Sequence, residues 1–129
     1  MLSIKSNLIG LSNWQKEILS NLFEKTIVAT DWHFGRNGDS VQANQDNLDF
    51  CDWFIEEGKT WGADSVMLLG DFFDNRHRIQ LGTLDFALKA LERLAAAFPK
   101  VYTIVGNHDL LYRHKRDVSS MAIAKHIPN

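Results

Sequence analysis

Apolar residues in this chain gather into three short, nearly unbroken runs: TIVAT (residues 26–30), SVMLLG (65–70) and VYTIVG (101–106). A strand with one wet face alternates apolar and polar positions. Runs without alternation predict strands covered on both faces, as in a parallel sheet. Between the runs the apolar period changes to three and four. Residues 48–59 place Leu48, Cys51 and Ile55 on one stripe with Phe54 beside it. Asn44 or Asp46 is the expected cap of that helix, and Gly58 or Gly62 its stop. Leu81, Leu84, Leu88, Leu91, Leu94 and Phe98 form a second stripe, which Pro99 ends. Successive strands begin about 35 residues apart, a spacing that suits strand–helix–strand units with right-handed crossovers. The chain therefore reads as α/β with a parallel sheet.

Two segments stand outside this repeat. In residues 1–25, SNWQKEILSNLFEK patterns as a short amphipathic helix, with Ser12 and Gln15 as a capping box and Trp14, Ile18 and Leu22 on its apolar side. It is either a helix packed on the domain or an extension that binds a partner. The tail predicts another short helix over residues 119–126. The division expected is an extension over 1–25 and a domain over 26–129.

Composition narrows the class. The chain has 129 residues, 45% hydrophobic and 23% charged, with a formal net charge of −2. This describes one globular domain and excludes a generally basic nucleic-acid binder, while leaving room for local basic patches. The single cysteine, Cys51, rules out an internal disulfide and fits a reducing, cytoplasmic compartment. No apolar run approaches the roughly 18–20 residues that span a bilayer, and the N-terminus lacks a signal-peptide core.

Chemistry enters where the strands end. The first run is followed by Asp31-Trp32-His33, the second by Gly70-Asp71-Phe72-Phe73-Asp74, and the third by Gly106-Asn107-His108-Asp109. In open α/β sheets ligands bind beyond the carboxyl ends of the strands, so the three clusters are expected along one edge. Helix capping and turn formation explain one such cluster easily and three poorly. For Asp74 alone, holding loop amides is as good a reading as a role in the site. Carboxylates, an amide and imidazoles without a thiolate suit Mn2+, Fe2+ or Zn2+. Two such ions about 3.5–4 Å apart share a carboxylate and clamp a phosphoryl group, and Asp71, on the central run, is best placed to bridge them.

These letters, D-x-H, then G-D-x-x-D, then G-N-H-D, resemble the N-terminal signature of calcineurin-like metallophosphoesterases. Within that family DWHFG, GDFFDNR and TIVGNHDLLYR are most similar to the nuclease subunit of SbcCD-type DNA repair complexes and of phage recombination endonucleases. The resemblance implies the parallel-sheet half of an α/β/β/α sandwich. It implies that Asp31 and His33 bind one metal, Asp71 bridges two, and Asn107 binds the second. His108 would face the substrate, with Asp109 orienting it. It also implies Mn2+ as the usual ion, with Zn2+, Fe2+ or Mg2+ as alternatives. The implied reaction is hydrolysis of DNA phosphodiesters. The implied partners are DNA, an ABC-type ATPase of the structural-maintenance class and a second copy of the chain, with no membrane.

One departure matters. The family pattern continues with a later histidine and a G-H-x-H motif, and the histidines here are His33, His77, His108, His114 and His126. The expectation is an N-terminal part of the catalytic domain, cut before the second sheet, with weak metal binding and little activity alone. Arg36, Arg76, Arg78 and Arg113 follow the motifs; they either ring the site and contact phosphates or are solvated loop charge. Phe34, Phe72 and Phe73 are expected to pack the motif loops. Trp53, Phe54 and Trp61 are expected in the core or, failing that, on a dimer surface. The rival functions are a phosphoesterase on a non-DNA substrate and an inactive binding module.

Overall fold

Three strands, β1 (Thr26–Ala29), β2 (Ser65–Leu68) and β3 (Lys100–Thr103), pair side by side and parallel in the order β1-β2-β3. The computed structural model describes residues 24–112 and 115–119 together with 12, 13, 15, 123, 125 and 127, and of 110–112 and 115–119 the backbone alone. Helix α1 (Val41–Trp61) crosses from β1 to β2, and α2 (Leu81–Ala97) from β2 to β3. A short antiparallel ribbon follows, β4 (Leu110–Tyr112) with β5 (Lys115–Ser119). Ser119 thus ends a strand, and the rest of the helix expected over 119–126 lies largely outside the described residues.

Helix α1 starts earlier than its apolar stripe predicts. The Ser40 hydroxyl accepts the Ala43 amide and caps the helix, while Asn44 is turned inward and buried. Gly62 ends it in the left-handed conformation (φ 76°), its amide returning to the last turn. Gly58 lies instead inside the helix, where a Cβ would strike Ile27 and Phe98.

Helix α2 buries the expected Leu91 and Leu94, and Phe98 at its end, but near its start Thr83 rather than Leu81 faces inward. Its buried residues are Thr83, Ala87, Ala90, Leu91 and Leu94, and Leu81 is 84% exposed. The Cys51 thiol donates to the Ala90 carbonyl (S···O 3.7 Å), a contact of side chain with helix backbone that small residues such as alanine allow. Both helices cover one face of the sheet, where Val66, Leu68, Leu91, Leu94 and Phe98 form the core. On the other face Val28, Leu69 and Ile104 are exposed, so among the described residues the sheet is covered on one side rather than two. Phe54 is in the core as expected, whereas Trp53 is 54% exposed beside Phe50. No helix of the described residues is long and apolar enough to cross a membrane.

The entry to β1 is fixed by one carboxylate. Asp64 accepts the amides of Glu24 and Lys25, each at 3.1 Å, and the Ser65 hydroxyl at 2.8 Å. Upstream, Ser12 and Gln15 exchange the hydrogen bonds of a capping box, while Trp14, Ile18 and Leu22 lie outside the described residues.

Burial pushes the Asp64 carboxyl up, but hydrogen bonds from Ser65, Glu24 and Lys25 outweigh it and the net shift is downward. A depressed folded value means that the stabilisation is present above the unfolded carboxyl range, about pH 4, and is lost as pH falls through the folded value. Replacing Asp64 by Ala is expected to cost about 1 kcal/mol at pH 7. The cost should shrink as pH falls below the usual carboxylate range, measured by urea unfolding across pH. An equal cost at both ends would contradict this account.

Candidate metal centre

Beyond the strand ends the backbone keeps pairing. Asp31 N–H donates to Gly70 O (3.2 Å), His33 N–H to Asp71 O (3.1 Å), Phe34 N–H to Phe72 O (2.9 Å) and Asp74 N–H to Phe34 O (2.9 Å). The first two motif loops therefore run alongside each other as an irregular extension of β1 and β2. Their aromatic members point inward: Phe34, Phe72 and Phe73 are fully buried, and Trp32 packs among Phe34, Phe50, Phe54 and Phe72. Phe34, Phe72 and Phe73 thus pack the loops, as expected.

Asp31 (φ 57°), His33 (φ 50°) and Asp71 (φ 51°) all adopt the left-handed backbone that L-residues avoid. Each costs of order 1 kcal/mol. Each buried aromatic neighbour contributes about 1.5–3 kcal/mol, which outweighs that strain. The conformation turns the polar side chains to one side. Ligand atoms of Asp31, His33 and Asp71 all lie within 4.8 Å of one another. A second group of the same tightness comprises His33, Asp74 and His108.

His33 joins the two groups and uses each ring nitrogen differently. Nδ1 lies 3.0 Å from Asp74 Oδ1, and Nε2 lies 3.4 Å from Asp31 Oδ1. Both nitrogens thus face carboxylates; with the proton on Nδ1, given to the nearer Asp74, the Nε2 lone pair on the Asp31–Asp71 side is the one free to bind a cation. Asp74, read from the sequence as either a loop-holding carboxylate or a site residue, lies with its carboxylate against this imidazole. The Thr30 hydroxyl donates to Asp31 at 2.8 Å and, against slight desolvation, holds that carboxyl below its usual range, so it is ionised at neutral pH.

The third loop closes over the second. Its His108 amide donates to Asp71 Oδ1 at 2.8 Å, and His108 Nδ1–H donates to the Asp74 carbonyl at 2.9 Å. The His108 and His33 rings stand edge to face, 5.0 Å apart. Asn107 is an exposed turn residue beside them. Asp109, which the resemblance makes the orienter of His108, also has backbone partners. Asp109 is wholly buried, and its carboxylate accepts the amides of Gly106 (2.9 Å), Phe73 (3.1 Å) and Phe72 (3.4 Å). A buried carboxylate needs donors, and these amides are the donors under the loop. Asp109 fixes the backbone on which Asp71 and His108 ride.

Two glycines permit this closeness. A Cβ on Gly106 would fall on the Asp71 amide and carboxylate, and one on Gly70 would lie 2.7 Å from Gly106 Cα. Of the arginines, Arg36 follows the first loop, and Arg76 and Arg78 follow the second on a turn closed by Asn75. Arg113 lies outside the described residues. Burial pushes the Cys51 thiol up to about 12, which keeps it out of metal chemistry. The sequence reading missed Asn47 and took Asn44 only for a cap. Both face inward ahead of Leu48, Cys51 and Ile55 at three- and four-residue steps, a spacing that held the signal.

Two carboxylates and an imidazole, converging without a thiolate, fit a divalent cation of hard to borderline character. The calcineurin-like phosphoesterase family profile matches residues 24–126. The chain belongs to the calcineurin-like phosphoesterases. These are metal-dependent hydrolases, and the parallel sheet with its helices is consistent with one half of their α/β fold. The chain is also similar to exonuclease subunit 1 of Enterobacteria phage T4, 36% identical over 84 residues, which is 65% of this chain. It spans 25% of the length of that phosphoesterase relative.

Gly106→Ala is expected to force the second and third loops apart. Divalent-metal affinity should fall at least about 10-fold, and stability by about 1–3 kcal/mol, read by Mn2+ titration and chemical unfolding. Unchanged affinity would show that the two loops need not touch.

Proposed function

We propose that this chain is part of a DNA nuclease that hydrolyses phosphodiester bonds within a repair or recombination complex. The observation that carries the reading is the convergence of Asp31, His33 and Asp71 beyond the ends of parallel strands, with His108 beside them. The exonuclease name of the phage relative supports DNA over other phosphoesters.

Asp31 and His33 Nε2 would hold one divalent ion, Asp71 would be shared with a second, and Asn107 would contribute to that second. The mixed oxygen and nitrogen donors suit Mn2+, Fe2+ or Zn2+, and the family resemblance makes Mn2+ the proposed ion, with Zn2+, Fe2+ or Mg2+ as alternatives. When bound, such ions supply Lewis acidity to the phosphoryl oxygens and to water. The rest falls to the chain. His108, its Nδ1–H tied to the Asp74 carbonyl, presents Nε2 to the substrate. As imidazolium it donates to a phosphoryl oxygen or protonates the leaving oxygen as the P–O bond breaks and water's oxygen bonds to phosphorus. Asp74 keeps His33 in the binding tautomer, and Asp109 keeps the loops in register. Arg36, Arg76, Arg78 and Arg113 would contact phosphates. An ABC-type ATPase and a second copy of the chain are the proposed partners, and Cys51 as a thiol supports a reducing cytoplasm.

Substrate choice tests the reading. With saturating Mn2+, the little cleavage expected of this chain should fall on labelled DNA in preference to bis(p-nitrophenyl) phosphate, and Asp71→Asn should abolish it. Cleavage of the aryl diester alone would favour a non-DNA phosphoesterase. DNA bound without any metal-dependent cleavage would favour a binding module.

The arginines have their own test. Arg76→Glu with Arg78→Glu should weaken DNA binding about 10-fold at low salt and flatten its salt dependence by about one to two units of slope. Binding with an unchanged slope would make these side chains solvated loop charge.

A further inference from the structure

The inner face of α1 opens with two buried amides rather than apolar side chains. Asn44 is 1% exposed and Asn47 7%. Asn47 Nδ2–H donates to the Trp32 carbonyl at 2.6 Å, and Asn44 Oδ1 accepts the Gly35 amide at 2.8 Å. These two bonds flank His33. The chain of bonds continues outward: Asn44 Nδ2–H donates to the Thr83 hydroxyl (2.9 Å), which donates to Asp39 (2.8 Å). Helix α2 is thereby tied to the same loop.

Burying four polar groups of two asparagines is unfavourable unless each is satisfied. A left-handed residue with a Cβ relaxes unless its surroundings over-determine it. His33 is such a residue, and Gly35 (φ 92°) follows it. On the other side the loop is held by β2-side bonds, His33 N–H to Asp71 O and Phe34 N–H to Phe72 O. The Arg36 amide donates to the His33 carbonyl and the Asp39 amide to the Gly35 carbonyl, and the α1 asparagines add a hold from the helix side, on the carbonyl just before His33 and on the amide two residues after it.

We propose that Asn44 and Asn47, braced by Thr83, are positioning residues that fix the His33 imidazole for cation binding through the backbone of the first motif loop. This rests on the metal-centre reading above. It differs from mere satisfaction of buried groups in one respect: loss of the bonds weakens cation binding beyond what loss of stability explains.

The test uses the full 129-residue chain. Mn2+ affinity is measured by electron paramagnetic resonance at a temperature where circular dichroism shows each variant folded. Asn44→Ala and Asn47→Ala are expected to lower the affinity about 10- to 100-fold. Leu94→Ala, which opens a cavity in the core away from the loop, should leave it within about twofold. Thr83→Val should lower it severalfold, and Thr83→Ser, which keeps the hydroxyl, should restore it. If either asparagine variant fails to fold, the Thr83 pair decides. Wild-type affinity in the folded asparagine variants, no difference between Thr83→Val and Thr83→Ser, or an equal loss in Leu94→Ala overturns the proposal. If the wild-type chain binds no Mn2+, the metal reading falls instead, and the imidazole 15N shifts of His33 judge the clamp. Retention of the Nδ1–H tautomer signature in Asn47→Ala and Thr83→Val then overturns it, and its loss sustains it.

Discussion

A carboxylate with no access to water holds the centre together. Asp109 takes three backbone amides, from Gly106, Phe72 and Phe73, and so welds the turn after β3 to the loop after β2. These donors help to offset the cost of burying that carboxylate. That arrangement dictates much else. Gly106 must lack a side chain, Gly70 must allow the approach, and Asp71 must accept a left-handed backbone to pass between them. Asp71 then receives the His108 amide, and the two histidine rings meet.

The loops divide labour residue by residue. Trp32 and Phe34 anchor the first, on either side of His33, and Phe72 and Phe73 the second; Asp31 and Asp71 stand immediately before the anchors. Strain in the polar residues is carried by burial of the aromatic ones. The polar side chains are therefore set before any ligand arrives, which lowers the ordering cost of binding.

Much of this was legible from the letters. Three apolar runs, each ending in Asp, His or Asn, gave the parallel strands and one shared edge. What stayed hidden shares a physical cause, the ambiguity of polar residues. Asn44 has the composition of a cap, and the true cap, Ser40, is as common in loops; only the packing against Gly35 and Thr83 separates them. Asp109 follows His108 directly, which suggests a pair; the backbone amides that its carboxylate also accepts show only in the fold. The leucine stripe of α2 holds for Leu91, Leu94 and Phe98 and fails at Leu81, while Thr83, Ala87 and Ala90, which no apolar stripe of large residues marks, are buried. The strands' unbroken apolar character still finds cover on one face only among the described residues.

The thiol lodged between the two helices has a practical consequence. Cys51 is the sole sulfhydryl of the chain, with no exposed surface and its proton held up to about 12. Alkylating reagents attack thiolates, and here they find one only when the helix pair separates. Nature has thus left this polypeptide with an internal reporter: the extent of covalent tagging at that sulfur counts molecules that have opened, in a crude extract as readily as in a purified sample.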